Sequence, residues 1–212
     1  MVDACELQRA RLESVGAAAA GIAHDMNNQL TLILNHLETP DIEAARAAAD
    51  RCSALTASLL SWCRGEPLRL SGIEPVAWLA EFAGSLTLPE SVALELELPG
   101  SLPSVKAEPV ALARILTNLV RNALDAMGGS GVLRIRAAKG LIQVEDSGPG
   151  IPLADRERVF EPFFSTKGNL GTGLGLAIVR DLMRQQGGSI TLCSPPGHGA
   201  CFQLRFRLQD ER

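Results

Sequence analysis

The chain has 212 residues, and its 20 lysines and arginines against 24 aspartates and glutamates leave a formal charge of −4. With 46% apolar and 21% charged residues, it has a globular composition that excludes a disordered, collagen-like or membrane-embedded protein, and its length fits two small domains. The acidic excess speaks against nucleic acid as a partner bound through its phosphates. The longest weakly polar stretch, Val15 to Ala23, falls short of the roughly 20 residues that cross a bilayer. No basic segment leads into an apolar run near the N-terminus, so no secretory signal and no membrane segment are expected, and the expected compartment is the cytoplasm. The five cysteines (Cys5, Cys52, Cys63, Cys193, Cys201) are odd in number and lack any C-x-x-C pair. They read as reduced packing residues rather than a disulfide framework or zinc site.

Residues 1–66 predict a helical hairpin. Val15, Ala19, Ile22, Met26, Leu30, Ile33 and Leu37 recur in steps of four and three, the stripe of a helix that buries one face. The first helix is expected from about Cys5 to Glu38. Thr39 then offers an N-cap and Pro40 a first helical residue, and the second helix runs to Trp62 before Gly65 and Pro67 stop it. A single hairpin cannot bury such a stripe, whereas two copies make a four-helix bundle, so a homodimer is expected.

Residues 67–212 alternate short strand and helix patterns, as in an α/β domain with helices on one face of a sheet. Strands are expected at Val92–Leu98, Val132–Ala137, Leu141–Glu145, Ser189–Cys193 and Ala200–Leu208. The Lys139-Gly140 turn makes the second and third an antiparallel hairpin. Helices are expected at Pro75–Gly84, Pro109–Met127, Asp155–Val159 and Leu174–Gln186, the second closed by Gly128-Gly129 and the last by Gly187-Gly188.

Polar residues at telling positions carry the chemistry. At about 100° per residue, His24 points about 155° away from the centre of the apolar stripe, so it faces water. Asn28 lies on the same face and Asp25 beside it. Asp25 could accept the Nδ1 proton and leave Nε2 as a nucleophile, while Asn28 could orient a water or a phosphoryl oxygen. Asn118, Asn122 and Asp125 share one helical face, and amide oxygens are hard ligands that suit Mg²⁺. Asp146-Ser147-Gly148-Pro149-Gly150 ends a strand, where a carboxylate beside glycines can accept a hydrogen bond from an adenine amino group. Gly171-Thr172-Gly173-Leu174-Gly175 opens a helix, where backbone N–H groups meet phosphates. It lacks the lysine of a P-loop and does not follow the strand of a dinucleotide fold.

In order and spacing, His24 to Asn28, the asparagine helix, Asp146 to Gly150, Phe160 to Phe164 and Gly171 to Gly175 resemble the H, N, G1, F and G2 boxes of two-component sensor histidine kinases. The resemblance spans nearly the whole chain. It implies a dimerisation and phosphoacceptor hairpin (1–66) forming a dimeric four-helix bundle, followed by an α/β sandwich of the GHKL (Bergerat) ATP-binding fold (67–212), shared with gyrase and the heat-shock chaperone ATPases. By this likeness His24 is the phosphoacceptor, Asn122 the Mg²⁺ ligand with Asn118 assisting, and Asp146 the adenine reader. Gly148, Gly150, Gly171, Gly173 and Gly175 shape the pocket, with Thr172 and Lys167 touching phosphates. The implied reaction moves the γ-phosphoryl of ATP to His24 and then to an aspartate of a response-regulator receiver domain. Asn28 stands where family members support regulator dephosphorylation.

Hydrolytic members of the same ATPase superfamily carry a glutamate base where this chain has Asn118, and an amide cannot activate water. The alternatives, a phosphotransfer scaffold with a lapsed ATP site and a GHKL-type ATPase, are disfavoured respectively by the intact boxes and by Asn118. Only Gly168, Asn169 and Leu170 separate Lys167 from Gly171, so the nucleotide lid reads as short, and the helical hairpin is brief. No sensor domain precedes residue 1, which implies a separate sensory protein or a sensor domain outside this chain. His36 and His198 read as structural, and Trp62 and Trp78 as packing near the domain junction.

Overall fold

In the computed structural model, local chemistry sets the bounds of the helices. The structure describes residues 27, 30–35, 37, 41, 42, 44–46, 48, 49, 52, 68–162, 164–166, 173–194 and 198–209. Two compact units are present, one of Met1–Glu66 with Val159–Ala177 and one of Pro67–Arg158 with Ile178–Arg212.

In the first unit, the described residues of 27–37 and of 42–52 are helical. The Asp41 carboxylate accepts the Ala44 N–H at 3.0 Å, which makes Asp41 an N-cap. The expected cap at Thr39 lies outside the described residues, and the observed one falls two residues later because a carboxylate there can reach the N–H three residues on. Ala45 and Ala48 are buried, whereas Leu30, Leu34, Leu37 and Ile42 are exposed in the single chain.

The larger unit is built on a five-stranded sheet and a two-stranded one. Strands β1 (Ser71–Ile73) and β3 (Val105–Ala107) pair antiparallel. The larger sheet has the order β2 (Val92–Glu97), β4 (Gly131–Ala138), β5 (Leu141–Asp146), β7 (Cys201–Arg205), β6 (Ser189–Leu192). All its pairs are antiparallel except β2 with β4. That parallel pair is possible because a long crossover joins its strands. Helices α1 (Pro75–Ser85), α2 (Pro109–Met127) and α3 (Gly175–Gln185) complete the elements. Pro109 occupies the first turn of α2, the Glu108 carboxylate accepts the Ala111 N–H at 2.6 Å, and Gly128 ends the helix at φ 63°. Only a residue without Cβ adopts that conformation without strain.

The buried face of α2 (Leu112, Ile115, Leu116, Leu119, Ala123) lies against β4 and β5. Leu133, Ile135, Ile142, Val144, Phe202 and Leu204 fill the core from the sheet. Gln186, 1% exposed, joins the ends of two helices: its Oε1 accepts the Glu108 N–H at 2.9 Å and its Nε2 donates to the Leu182 carbonyl at 3.2 Å. Alternation along the strands sends charges to the opposite sheet face. There Arg134 pairs with Glu95 and with Glu145 at 3.1 Å, and Arg136 with Glu97 at 2.8 Å and Glu145 at 2.6 Å. The Glu97 hydrogen bond, foremost among several causes, holds the Arg136 pKa above its ordinary value.

Two expectations are corrected. The expected helix at Asp155–Val159 is instead a pair of 3₁₀ turns, Leu153–Asp155 and Arg158–Phe160, since so short a run satisfies few α-helical hydrogen bonds. Strands β1 and β3 add a small sheet where the sequence pattern predicts none. Trp78 stacks on Phe82, with centroids 5.5 Å apart, and Trp62 and His36 lie outside the described residues. Among the described residues, no helix is long and apolar enough to cross a membrane.

Candidate nucleotide site

Asp146 closes β5 in a strand register that leaves it 6% exposed. A carboxylate buried so deeply needs partners. Its Oδ1 accepts the Gly148 N–H at 2.8 Å and the Ala200 N–H at 3.2 Å, and its own N–H donates to the Ala200 carbonyl at 3.0 Å. Two glycines make this possible. A Cβ on Gly148 would stand 2.8 Å from the Asp146 Oδ1, and one on Gly199 would overlap the Asp146 carbonyl. Gly150 takes φ 75° and runs against the His198 carbonyl and the Ser194 hydroxyl.

A second layer fixes this wall. Ser194, 3% exposed, donates from Oγ to the Gly199 carbonyl at 2.8 Å. The Arg156 guanidinium donates from Nη2 to the Ser194 carbonyl and from Nε to the Ile151 carbonyl at 3.3 Å. The turn after Asp146 is thereby clamped to the segment between β6 and β7. Sequence reasoning does not find Gly199, Ala200, Ser194 or Arg156. The Gly-His-Gly-Ala run at 197–200 is visible only as a glycine-rich hairpin, and nothing local says that it meets residue 146.

Asn118 and Asn122 are half-buried on α2, at the edge of its apolar face, while Asp125 is exposed. The Asn118 Nδ2 donates to the Arg114 carbonyl at 2.8 Å. That bond uses the amide nitrogen, and an amide oxygen is a hard ligand. Burial lowers the Arg114 pKa from its ordinary value, so this stretch of α2 lies in a partly desolvated environment. A Cβ on Gly148 would also stand 3.3 Å from the Ala126 side chain, one turn beyond Asn122. The asparagine helix and the Asp146 turn therefore adjoin, and amide oxygens, a buried carboxylate and close-approaching backbone share one end of the sheet. Such a set can hold a purine amino group and a hard divalent cation.

Gly173 takes φ 62°, and Gly175 opens α3 behind the buried Leu174. His24, Asp25, Asn28, Lys167, Gly171 and Thr172 lie outside the described residues.

Residues 107–210 match the family described as histidine kinase-, DNA gyrase B-, and HSP90-like ATPase. The sensor kinase CckA of Brucella abortus is 35% identical over 97% of this chain and 25% of its own length. The sensor histidine kinase ZraS of Escherichia coli O157:H7 is 33% identical over 93% of this chain and 47% of its own. This chain thus spans a quarter to about half of these relatives. The histidine kinase ThkA, solved in complex with the response regulator protein TrrA, superposes with a TM-score of 0.79 at 22% identity, covering 98% of this chain and 66% of that one. The α/β unit accordingly has the GHKL-type ATP-binding fold, and along nearly its whole length the chain is similar to sensor histidine kinases.

Proposed function

We propose that this chain is the kinase core of a two-component signalling protein: it transfers the γ-phosphoryl of ATP to His24 and from there to an aspartate of a response-regulator receiver domain. The observation that carries the proposal is the buried Asp146, held by two backbone N–H groups beside Gly148 and Gly199, an arrangement suited to reading an adenine amino group. The sensor kinases among its relatives support the reading, as does the ThkA structure with its regulator.

In this mechanism residues 67–212 bind ATP and residues 1–66 present His24. Asn122, with Asn118 assisting, would hold Mg²⁺, since amide oxygens suit a hard cation. Bound there, the ion offsets negative charge on the phosphates. Backbone N–H groups from Gly171 to Gly175, with Thr172 and Lys167, orient the phosphates. Asp25 accepts the Nδ1–H of His24 and leaves Nε2 to attack, so that an N–P bond forms as the bond to ADP breaks. Asn118, an amide, cannot act as the base that would hydrolyse ATP. Asn28 supports regulator dephosphorylation. The exposed Leu30, Leu34, Leu37 and Ile42 form the seam of a homodimeric four-helix bundle. A separate sensory protein or a sensor domain supplies the input, and ATP as co-substrate fits a reaction in the cytoplasm.

The test is incubation with γ-labelled ATP followed by acid or base. An acid-labile, base-stable label on the wild type, absent from His24→Ala, is expected. A label retained in that variant moves the acceptor elsewhere, and steady phosphate release without any labelled protein refutes the kinase reading.

A further inference from the structure

An odd cysteine count without C-x-x-C conceals a pair that strand register brings together. In β6 and β7, Leu192 pairs with Phe202, so the next position sets Cys193 opposite Cys201. Indeed, the Cys193 N–H donates to the Cys201 carbonyl at 2.7 Å. Directly opposed residues point their side chains to the same face. Directly opposed residues of antiparallel strands have Cα atoms about 4.5–5.5 Å apart, within the roughly 4.4–6.8 Å that a disulfide spans. Both residues are free thiols, Cys193 exposed and Cys201 half-buried.

This pair closes the base of the segment that supports Asp146. Cys193 precedes Ser194, whose hydroxyl holds Gly199, and Cys201 follows Ala200, whose N–H holds the Asp146 carboxylate. We propose that Cys193 and Cys201 are a thiol–disulfide couple, and that the closed bond fixes Ala200 against Asp146. The consequence for ATP rests on the function proposed above.

The oxidant is a small-molecule disulfide such as glutathione disulfide. The exposed Cys193 attacks it as thiolate, breaking its S–S bond and releasing one glutathione, which takes up a proton. Cys201 then loses its proton to solvent and attacks the Cys193 sulfur of the mixed disulfide, releasing the second glutathione. Two protein thiols and one disulfide thus become one protein disulfide and two glutathione thiols. Burial, with the charges of Glu145 and Cys193 adding to it, pushes the Cys201 thiol up to about 11. Exposure and this shift together assign the first attack to Cys193. The charge of Cys193 disappears once it is capped, which eases the second step.

The experiment uses the full chain with Cys5→Ser, Cys52→Ser and Cys63→Ser, equilibrated in oxidised or reduced glutathione. Peptide mass spectrometry is expected to find Cys193 joined to Cys201, reversibly with dithiothreitol. The Asp146 and Ala200 amides are expected to exchange hydrogen at least threefold more slowly when oxidised, with no such change after Cys193→Ser. Glutathione left on Cys193 without the internal bond overturns the proposal, and so does the bond with unchanged exchange. ATP affinity is expected to rise two- to threefold on oxidation. A reduced chain that binds no ATP refutes the proposed function, while the crosslink and the amide exchange still judge the couple.

Discussion

Replacing Asp146 by asparagine changes one oxygen to an NH₂ group at constant shape. Two backbone donors, Gly148 N–H at 2.8 Å and Ala200 N–H at 3.2 Å, point at Oδ1. They keep the amide oxygen in the Oδ1 position, because the opposite flip would aim donors at donors. The amide nitrogen therefore stands where Oδ2 stood. A purine amino group there loses a charge-assisted bond of about 1.5–3 kcal/mol and meets another donor. A loss of about 2–3 kcal/mol corresponds to an ATP affinity about 30- to 150-fold weaker. Guanine presents a carbonyl in place of that amino group, so GTP loses less and the preference for ATP over GTP falls. Calorimetric titration of both nucleotides, with Mg²⁺, into wild type and Asp146→Asn measures this, with circular dichroism as the check on folding. A folded variant that binds ATP within threefold of wild type, with an unchanged ATP to GTP ratio, refutes the role given to Asp146.

Gly199→Ala forces a Cβ into the Asp146 carbonyl; a loss of about 1–3 kcal/mol in folding stability is expected from the displaced backbone, read by urea denaturation, and a change below 0.5 kcal/mol would show that the two strands are not so close. Gln186→Ala removes the buried Oε1 that accepts the half-buried Glu108 N–H at 2.9 Å, so about 1–2 kcal/mol of stability is lost, visible as a lower urea midpoint at constant slope. Cys201 titrates higher folded than its ordinary 9.0, at about 11, chiefly through burial. The folded state therefore retains a proton that the unfolded state has lost, so stability from this group is full below pH 9 and declines as the pH rises toward 11. Cys201→Ser flattens that decline in denaturation midpoints between pH 8 and 11, and an unchanged slope would contradict the burial argument.

Helix α2 is legible to its end residues, Pro109 and Met127, because its signals are local: a proline that suits the first turn, an apolar period, and a Gly-Gly stop. Alternation likewise marks β2, β4 and β5 but cannot say which strands are neighbours. The parallel pairing of β2 with β4 and the charges it brings together, Glu95 and Glu97 against Arg134 and Arg136, depend on a register that no single strand encodes. Strands β1 and β3, three residues each, are too short to show a period at all.

The candidate site divides along the same physical line. Asn118, Asn122 and Asp146 carry distinctive side chains at regular spacing, so their chemistry can be named from the sequence. Gly199 and Ala200 act through what they lack and through their backbone, and they reach Asp146 only because β5 pairs with β7 so that Glu145 faces Cys201. A one-residue slip in that ladder would turn every side chain of β7 to the other face. It would expel Phe202 and Leu204 from the core and take the Ala200 N–H away from Asp146. The same apolar burial that stabilises the sheet therefore also sets the electrostatics of the carboxylate, which is why packing mutations on β7, far from any nucleotide contact, should alter ATP affinity through Asp146.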